Sequence, residues 1–226
     1  MSGVIVFDLD DTLYLERDYV FSGFVAVGDW LMREHGIAGF ADTAWRHFSA
    51  GARGVIFDAC LAELGVTPSP AFVGALVDVY RHHIPHIALQ PDAAAWLAAP
   101  PPEMKLALLT DGPVASQSRK IAALGLGTSL WPQVVSDAWG SEYRKPHIRG
   151  FRLIEQACCA GGSDCVYVGD NASKDFITPR RLGWRTVQIV RPGAIHAGPP
   201  VSPAHAADAV ITSLAELGSA LHDGRA

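Results

Sequence analysis

Short runs of apolar, mostly β-branched residues recur along the chain, and each run ends at a polar residue or a glycine-containing turn. A run that is apolar at nearly every position is typical of a strand buried on both faces, as in a parallel sheet. Because helical segments separate most of these runs, the pattern predicts an α/β fold with a doubly wound, Rossmann-like parallel sheet. The predicted strands are residues 4–8, 106–112, 133–137, 165–170, 185–190 and 207–211.

Proline and glycine mark the helix boundaries. The segment 113–126 begins with Pro113 and reaches Gly125 near its end, the positions that these residues favour at the two ends of a helix. A later helix is expected to break at Pro179. The other helices predicted for this part of the chain are residues 92–99, 147–162, 173–184 and 213–224.

Residues 15–90 break the alternation of strands and helices. They contain no clear strand, and their apolar residues have helical spacing, with glycines and the sequence TPSP (67–70) as stop and start signals. About 75 residues between the first two strands is far more than a βα connection needs, so a helical insertion is predicted. The expected domains are a core of residues 1–14 and 91–226 and a cap of residues 15–90.

Composition narrows the class of protein. Of the 226 residues, 49% are hydrophobic and 18% are charged, a balance typical of a compact globular protein. The net charge of −5 and the lack of a basic tract argue against a nucleic-acid partner. No apolar run approaches the roughly 18 residues that span a bilayer, and no signal peptide is recognisable, so we expect a cytoplasmic protein with no membrane partner. The expected state is a monomer or homodimer.

Cysteine and histidine positions do not predict a metal or redox site. The four cysteines form no CxxC pair, and the adjacent Cys158 and Cys159 fit small apolar residues of a helix. His82, His83 and His86 have no acid or thiol nearby to complete a zinc site. The candidate chemistry lies instead in acidic residues.

Polar side chains follow several predicted strands at the point where the strand ends, which is where open α/β sheets bind their ligands. Three aspartates within four positions follow the first strand, a Thr-Asp pair ends the second, and an Asp-Asn pair ends the fourth. A lysine also precedes a proline just before a predicted helix. These residues are Asp8, Asp10, Asp11, Thr110, Asp111, Lys145, Asp170, Asn171 and, a little further on, Asp175.

Asp8 and Asp10 are two residues apart, so their side chains point the same way if the backbone is extended. With Asp170 from another strand end, three carboxylates would converge, and they would repel or protonate one another without compensation. Mg²⁺ supplies compensation and leaves one carboxylate able to act as a nucleophile. Lys145 would neutralise further charge, and Thr110 would donate its hydroxyl to a phosphate oxygen. Taken singly, these segments also fit helix caps and turns, but their ordered occurrence at strand ends favours chemistry.

Four segments resemble, in order and in context, the four motifs of the haloacid dehalogenase superfamily of phosphohydrolases: FDLDDTLY, LLTDG, RKPHIRGF and VYVGDNASKDF. The resemblance covers nearly the whole chain, and a helical insert after the first motif is similar to the C1 cap of its subfamily I. It implies that Asp8 is the nucleophile that forms an aspartyl-phosphate. It also implies that Asp10 is the general acid–base and that its backbone carbonyl ligates Mg²⁺.

The resemblance assigns roles at the other strand ends as well. Thr110 matches a phosphate-binding hydroxyl, and Lys145 matches the lysine that stabilises the nucleophile and the phosphoryl group. Asp111 stands beside Thr110 and is a further phosphate-binding candidate. Asp170 matches the direct metal ligand, and Asp175 matches a second acid that acts directly or through water.

Two features of the sequence distinguish among the branches of this superfamily. Relatives that cleave carbon–halogen bonds lack the acid two residues after the nucleophile, whereas Asp10 is present here, so phosphate chemistry is favoured. Residues 15–90 contain no lysine, which disfavours the phosphonate-cleaving relatives that form a Schiff base with a cap lysine. Asn171 stands where some members place an acid, which leaves the division of labour at the last motif open, and Asp11 is expected to cap or orient its loop.

The expected function is Mg²⁺-dependent hydrolysis of a small phosphorylated metabolite, such as a nucleotide, a sugar phosphate or a phosphoglycolate. A phosphomutase of the same fold and a non-catalytic binding module stay open as alternatives. In the insert, Arg46 and Arg53 are candidates for holding an anionic substrate group, and Arg53, between two glycines in a predicted loop, is the better one. Residues 187–217 are expected to lead to the last strand and helix without contributing chemistry.

Overall fold

The computed structural model describes residues 3–196 and 198–222, and in this part of the chain six parallel strands form one sheet. The strands are β1 (Val4–Phe7), β2 (Lys105–Thr110), β3 (Gln133–Val135), β4 (Cys165–Gly169), β5 (Arg185–Ile189) and β6 (Ala209–Ile211). Their order across the sheet is β3-β2-β1-β4-β5-β6. All six predicted strands are therefore confirmed, and with them the Rossmann-like α/β fold class.

Helices connect most of these strands. In chain order they are α1 (Glu16–His35), α2 (Phe40–Ser49), α3 (Ile56–Glu63), α4 (Pro70–His82), α5 (Pro91–Ala98), α6 (Val114–Ala123), α7 (Arg149–Cys158), α8 (Ile177–Arg181) and α9 (Leu217–His222). The start predicted from TPSP is confirmed, because Ser69 Oγ accepts a hydrogen bond from Phe72 N and Pro70 is the first residue of α4. No helix in the described ranges is long and apolar enough to cross a membrane.

The chain divides into two compact units. One contains the residues up to Arg17 together with those from Ala88 onward, and it holds the sheet. The other is Asp18–Ile87 and contains α2, α3, α4 and nearly all of α1. The sequence places the insert at residues 15–90, so the two descriptions differ by a few residues at each boundary.

Strand β1 is one of the two central strands of the sheet and is buried on both faces. Val4 and Val6 point to one face and pack in a core cluster that includes Phe151 of α7. On the opposite face, the Phe7 ring lies 5.3 Å from the ring of Trp96 in α5. Alternate residues of one strand thus meet helices on both sides, which explains why the run is apolar at every position.

Aromatic rings form the interior of the helical unit. Phe24 of α1 has its ring 6.2 Å from those of Phe48 in α2 and Phe57 in α3. The Phe57 ring in turn lies 5.8 Å from that of Tyr80 in α4. These edge-on contacts join all four helices of the unit.

The segment 173–184 differs from its prediction. The helix covers only Ile177–Arg181, and Pro179 lies inside its first turn instead of breaking it. The preceding residues form a tight turn, in which Asn171 Oδ1 accepts hydrogen bonds from the backbone and the hydroxyl of Ser173. The side chain of Asn171 therefore competes with the helix and delays its start.

Candidate active site

The carboxyl ends of three neighbouring strands lie together because β1 pairs in register with both β2 and β4. Asp8 continues the ladder beyond β1, since its N–H donates to Val168 O at 2.8 Å. Thr110 ends β2, and Asp170 directly follows β4. A cavity of about 360 Å³ opens at this edge of the sheet. It is lined by Asp8, Asp10, Glu16, Thr110, Asp111, Gly112, Arg144, Lys145, Asp170, Asn171, Lys174 and His196.

Three buried carboxylates converge at the base of this cavity. Asp8, Asp170 and Asp175 each offer an oxygen atom, and these three atoms all lie within 4.8 Å of one another. Burial and the charges of Asp175 and Asp8 raise the pKa of Asp170 to about 10. Burial likewise raises the pKa of Asp8 to about 6, although Lys145 opposes the rise. The protein alone thus leaves the charge of this cluster incompletely compensated.

Lys145 is the cation within the cluster. Its Nζ lies 2.7 Å from Asp8 Oδ1 and 2.9 Å from Asp175 Oδ1, and it donates to Tyr167 Oη at 2.8 Å. Burial favours the neutral amine, but Asp175 and Asp8 raise the pKa of Lys145 well above its ordinary value. The side chain is 1% exposed, so this ammonium is held firmly beside Asp8.

The carboxylate of Asp175 reaches the cluster because it packs closely against the backbone that follows β4. Asn171 N donates to Asp175 Oδ2 at 2.9 Å, which closes the turn that follows β4. A Cβ on Gly169 would lie 2.5 Å from the same oxygen. Glycine is required at this position because the carboxylate occupies the space that a side chain would fill.

The carboxylate of Asp10 lies in a different environment from that of Asp8. Lys120 Nζ is 2.6 Å from Asp10 Oδ1, Gln117 Nε2 donates to Asp10 Oδ2 at 3.0 Å, and the Tyr14 hydroxyl also donates to it. Burial would raise the pKa of Asp10, but the charge of Lys120 and these hydrogen bonds lower it below its usual value. Of the four residues predicted to hold metal, the structure therefore brings together the side chains of Asp8, Asp170 and Asp175, and not that of Asp10.

Asp11 shapes its loop, as predicted. It is fully buried and has a left-handed backbone with φ of 53°. Its carboxylate accepts hydrogen bonds from Glu16 N at 2.8 Å and from Ile195 N at 2.6 Å. These bonds tie the start of α1 to the segment after β5.

Thr110 and Asp111 take different positions in the cavity. Thr110 Oγ1 is buried and has no hydrogen-bond partner among the described residues, so its hydroxyl is available to a ligand. Asp111 instead accepts from Ser136 Oγ at 2.8 Å, Lys145 N at 3.0 Å and Lys174 Nζ at 2.8 Å. Burial is outweighed by the two ammonium groups, which lower the pKa of Asp111 to about 2. These contacts make Asp111 a support for the surrounding loops, and they do not favour the predicted phosphate contact, since an ionised carboxylate repels phosphate.

Arg53 belongs to the helical unit. Its guanidinium lies 4.0 Å from the centre of the Phe48 ring, and its Nη1 donates to Phe48 O at 2.9 Å and to Ala52 O at 2.7 Å. It also lines an aromatic cavity of about 320 Å³ within the same unit. A contact of Arg53 with substrate stays a prediction.

Several residues at this site escaped the sequence interpretation. Lys174 lies inside the fourth motif, but the motif pattern predicts no role for it. Gln117 and Lys120 are three residues apart on α6, and this helical spacing was the signal that both could reach one acid. His196 lies in the segment expected to carry no chemistry, yet it lines the cavity and its Nε2 is 3.7 Å from Glu16 Oε2.

Glu16 is the remaining acid of the cavity. Burial and the charge of Asp10 raise its pKa to about 7. Glu16 is the first residue of α1, and acidic residues are common at helix starts, so the sequence alone does not mark it as a site residue. Only the fold places it beside Asp10.

The fold and the site together place an acidic cavity at the carboxyl edge of a parallel α/β sheet. The family model of the haloacid dehalogenase-like hydrolases matches residues 3–183. The chain therefore belongs to the haloacid dehalogenase-like hydrolases.

Known proteins resemble the chain over most of its length. It is 24% identical over 208 residues to a glyceraldehyde 3-phosphate phosphatase of Methanocaldococcus jannaschii, covering 83% of this chain and 84% of the relative. The HAD-hydrolase YfnB of Bacillus subtilis, solved with magnesium bound, is 20% identical with a TM-score of 0.68 over 97% of this chain and 98% of that one. A 2-haloacid dehalogenase of Pseudomonas syringae is 20% identical with a TM-score of 0.66 over 98% of both chains. The two solved structures establish the fold alone.

Proposed function

We propose that this hydrolase is a Mg²⁺-dependent phosphatase that hydrolyses a small phosphorylated metabolite through a phospho-aspartate on Asp8. The observation that carries the proposal is the contrast between two aspartates two residues apart. Asp8 lies among the converging carboxylates with Lys145 at 2.7 Å, whereas Asp10 pairs with Lys120, which favours its ionised form. A nucleophile and a separate acid–base group are what a two-step phosphoryl transfer needs.

In the first step, an oxygen of Asp8 attacks phosphorus in line and the ester bond to the leaving oxygen breaks. Lys145 keeps the nucleophilic carboxylate oriented throughout. Asp10 gives its proton to the leaving oxygen. Because Lys120 and Gln117 stabilise the ionised form of Asp10, this step requires that substrate binding weaken the Lys120 contact.

In the second step, Asp10 accepts a proton from a water molecule, and that water attacks the phosphorus of the phospho-aspartate. The products are inorganic phosphate and free Asp8. The contacts of Asp10 with Lys120, Gln117 and Tyr14 suit this step, because they favour the ionised carboxylate that acts as a base. Thr110 Oγ1 has no hydrogen-bond partner in the described part of the chain and would donate to a phosphoryl oxygen.

The acidic cluster fits a hard divalent cation. Asp8, Asp170 and Asp175 would hold it, because they supply carboxylate oxygens at short mutual distances, and Asp170 Oδ2 is buried without a hydrogen-bond partner among the described residues. When bound, Mg²⁺ would offset the repulsion among these carboxylates and neutralise charge on the phosphoryl oxygens.

Dehalogenation is the main alternative, since a 2-haloacid dehalogenase shares the fold. A halide leaves without a proton, so that reaction gives Asp10 no task, whereas the structure surrounds Asp10 with three groups that control its proton. The printed activity of the M. jannaschii relative also concerns a phosphate ester. Triose phosphates therefore belong at the head of a substrate panel.

Release of inorganic phosphate tests the proposal. Wild type and Asp8→Asn would be assayed with an aryl phosphate and a panel of sugar, triose, nucleotide and two-carbon phosphates, with Mg²⁺ and with EDTA. We expect Mg²⁺-dependent release by wild type alone. Equal inertness of both proteins on the whole panel would contradict the proposal, and halide release from 2-chloropropionate would favour dehalogenation. Isomerised sugar phosphate that outpaces phosphate release would identify a mutase.

A further inference from the structure

The site contains two buried or half-buried lysines whose surroundings differ. An ammonium group has three N–H donors. Lys145 has three protein oxygens within reach, namely Asp8 Oδ1 at 2.7 Å, Asp175 Oδ1 at 2.9 Å and Tyr167 Oη at 2.8 Å. Only the contact with Tyr167 Oη has hydrogen-bond geometry, but the side chain is 1% exposed, so protein atoms already surround this ammonium.

Lys174 has donors to spare. Its Nζ donates to Asp111 Oδ2 at 2.8 Å, and this is its only side-chain hydrogen bond with the described residues. The side chain is 30% exposed and lines the same cavity as Asp8 and Thr110. Two N–H groups of Lys174 are therefore free to meet a ligand.

Lys174 is also held in place both at its backbone and at its ammonium group. Its backbone N–H donates to Asn171 O in the turn after β4. At the other end, Asp111 is itself fixed by Ser136 Oγ and Lys145 N. A charge positioned in this way loses little conformational freedom when a ligand binds.

The other cations near the cavity are engaged more fully. Arg144 donates two hydrogen bonds to Asp137, from Nε to Oδ1 at 2.7 Å and from Nη2 to Oδ2 at 2.5 Å. Lys120 is 6% exposed and pairs with Asp10. Among the described residues, Lys174 is thus the cavity cation best able to add a contact.

We propose that Lys174 is a phosphate-binding residue of this enzyme. This inference rests on the proposed function. In the assigned arrangement, Lys174 donates to oxygens of the phosphoryl group and neutralises their charge, and it stays bonded to Asp111.

Binding of inorganic phosphate, measured by calorimetry in the presence of Mg²⁺, tests the assignment without requiring turnover. The variants are Lys174→Met, which removes the charge, Lys174→Arg, which keeps it, and Lys105→Met as the matched control. Lys105 stands at the opposite end of β2 from Thr110 and donates to Cys158 O. Kinetics of phosphate-ester hydrolysis, where wild type has it, give KM and kcat for the same proteins.

We expect Lys174→Met to weaken phosphate binding and raise KM by about tenfold or more, the usual loss for one charge-assisted hydrogen bond. Lys174→Arg should stay within a few-fold of wild type, and Lys105→Met should match wild type. If Lys174→Met fails to fold, Lys174→Gln is measured instead, with the same loss expected.

Phosphate affinity and KM that stay within twofold of wild type in the charge-removing variant would overturn the assignment. The two proposals fail separately. A wild type that hydrolyses no phosphate ester but binds phosphate in a Lys174-dependent manner would contradict the proposed function and leave the role of Lys174 standing.

Discussion

Lys120 Nζ lies 2.6 Å from Asp10 Oδ1, so a buried lysine of α6 holds the carboxylate that stands two residues after Asp8. This ion pair lowers the pKa of Asp10, against the effect of burial. It connects the first motif of the chain with α6 through charge and not through the backbone. The proton chemistry of the site therefore depends on a residue outside the motifs themselves.

Replacing Lys120 by Met should shift the pH dependence of the reaction. Without the ammonium, the pKa of Asp10 rises, so a smaller fraction of the base is ionised at any acidic pH. The acidic limb of kcat, measured between about pH 4 and pH 8, should move to higher pH by about one unit or more.

The control for this prediction is Lys120→Arg, which keeps a positive charge beside Asp10. Its acidic limb should lie near that of wild type. A limb that stays in place in Lys120→Met would mean that Asp10 is not the group that titrates in the rate profile.

Metal should stabilise the protein more at alkaline than at acidic pH. Folding raises the pKa of Asp170 to about 10 and that of Asp8 to about 6. Ionisation of these groups therefore opposes folding, and the metal-free protein loses stability as the pH rises from about 4 toward these values. Mg²⁺ at about 100 times its Kd should raise Tm by roughly 5–10 °C near pH 8 and by much less near pH 5.

Asp170→Asn provides the comparison, because it removes one charge of the cluster and keeps its shape. Its metal-free form should lose less stability at alkaline pH than wild type does, and its Tm should respond little to Mg²⁺. An undiminished Mg²⁺ response in Asp170→Asn would place the metal elsewhere.

Gly169→Ala should disturb Asp175 from within the backbone. The added Cβ would lie 2.5 Å from Asp175 Oδ2 and 3.0 Å from Tyr167 Cε1. Crowding of this kind costs about 1–3 kcal/mol of unfolding free energy, and a displaced Asp175 should also weaken the Tm response to Mg²⁺. Both effects are measurable by thermal unfolding with and without the ion.

Gly127→Ala is the matched control, since a Cβ there would have no described atom within 4 Å. Its unfolding free energy should stay within about 0.5 kcal/mol of wild type. If the two variants behaved alike, the close approach of Gly169 to Asp175 would have no energetic importance.

The fold and the convergence of Asp8 and Asp170 were predictable from sequence because both depend on local signals. A buried parallel strand needs an apolar residue at every position, as in Val4–Phe7. The carboxyl ends of adjacent parallel strands meet at one edge, so acids that follow them come together. The predicted start of α8 at residue 173 was wrong, because the hydrogen bonds that Asn171 Oδ1 accepts from Ser173 outweigh the helical periodicity of the sequence.

Residues that reach the site through tertiary contacts were not predictable in this way. His196 comes to the cavity because Ile195 N donates to Asp11, a bond between residues far apart in sequence. The sequence predicts a phosphate contact for Asp111 because it does not reveal that Lys174 and Ser136 occupy the oxygens of this carboxylate. Partner choice among charged side chains is fixed by the fold and not by motif spacing.

A phosphoryl group on Asp8 is the central claim, and Asp10→Asn with p-nitrophenyl phosphate tests it most directly. The nitrophenolate leaves without needing a proton, so the first step should proceed, while the second stalls because residue 10 can no longer activate water. Peptide mass spectrometry after an acid quench should find the phosphoryl group on Asp8. The double variant that carries both Asp8→Asn and Asp10→Asn should contain none. A protein that releases nitrophenolate with no phosphoryl group on Asp8, or with one on another residue, would contradict the account.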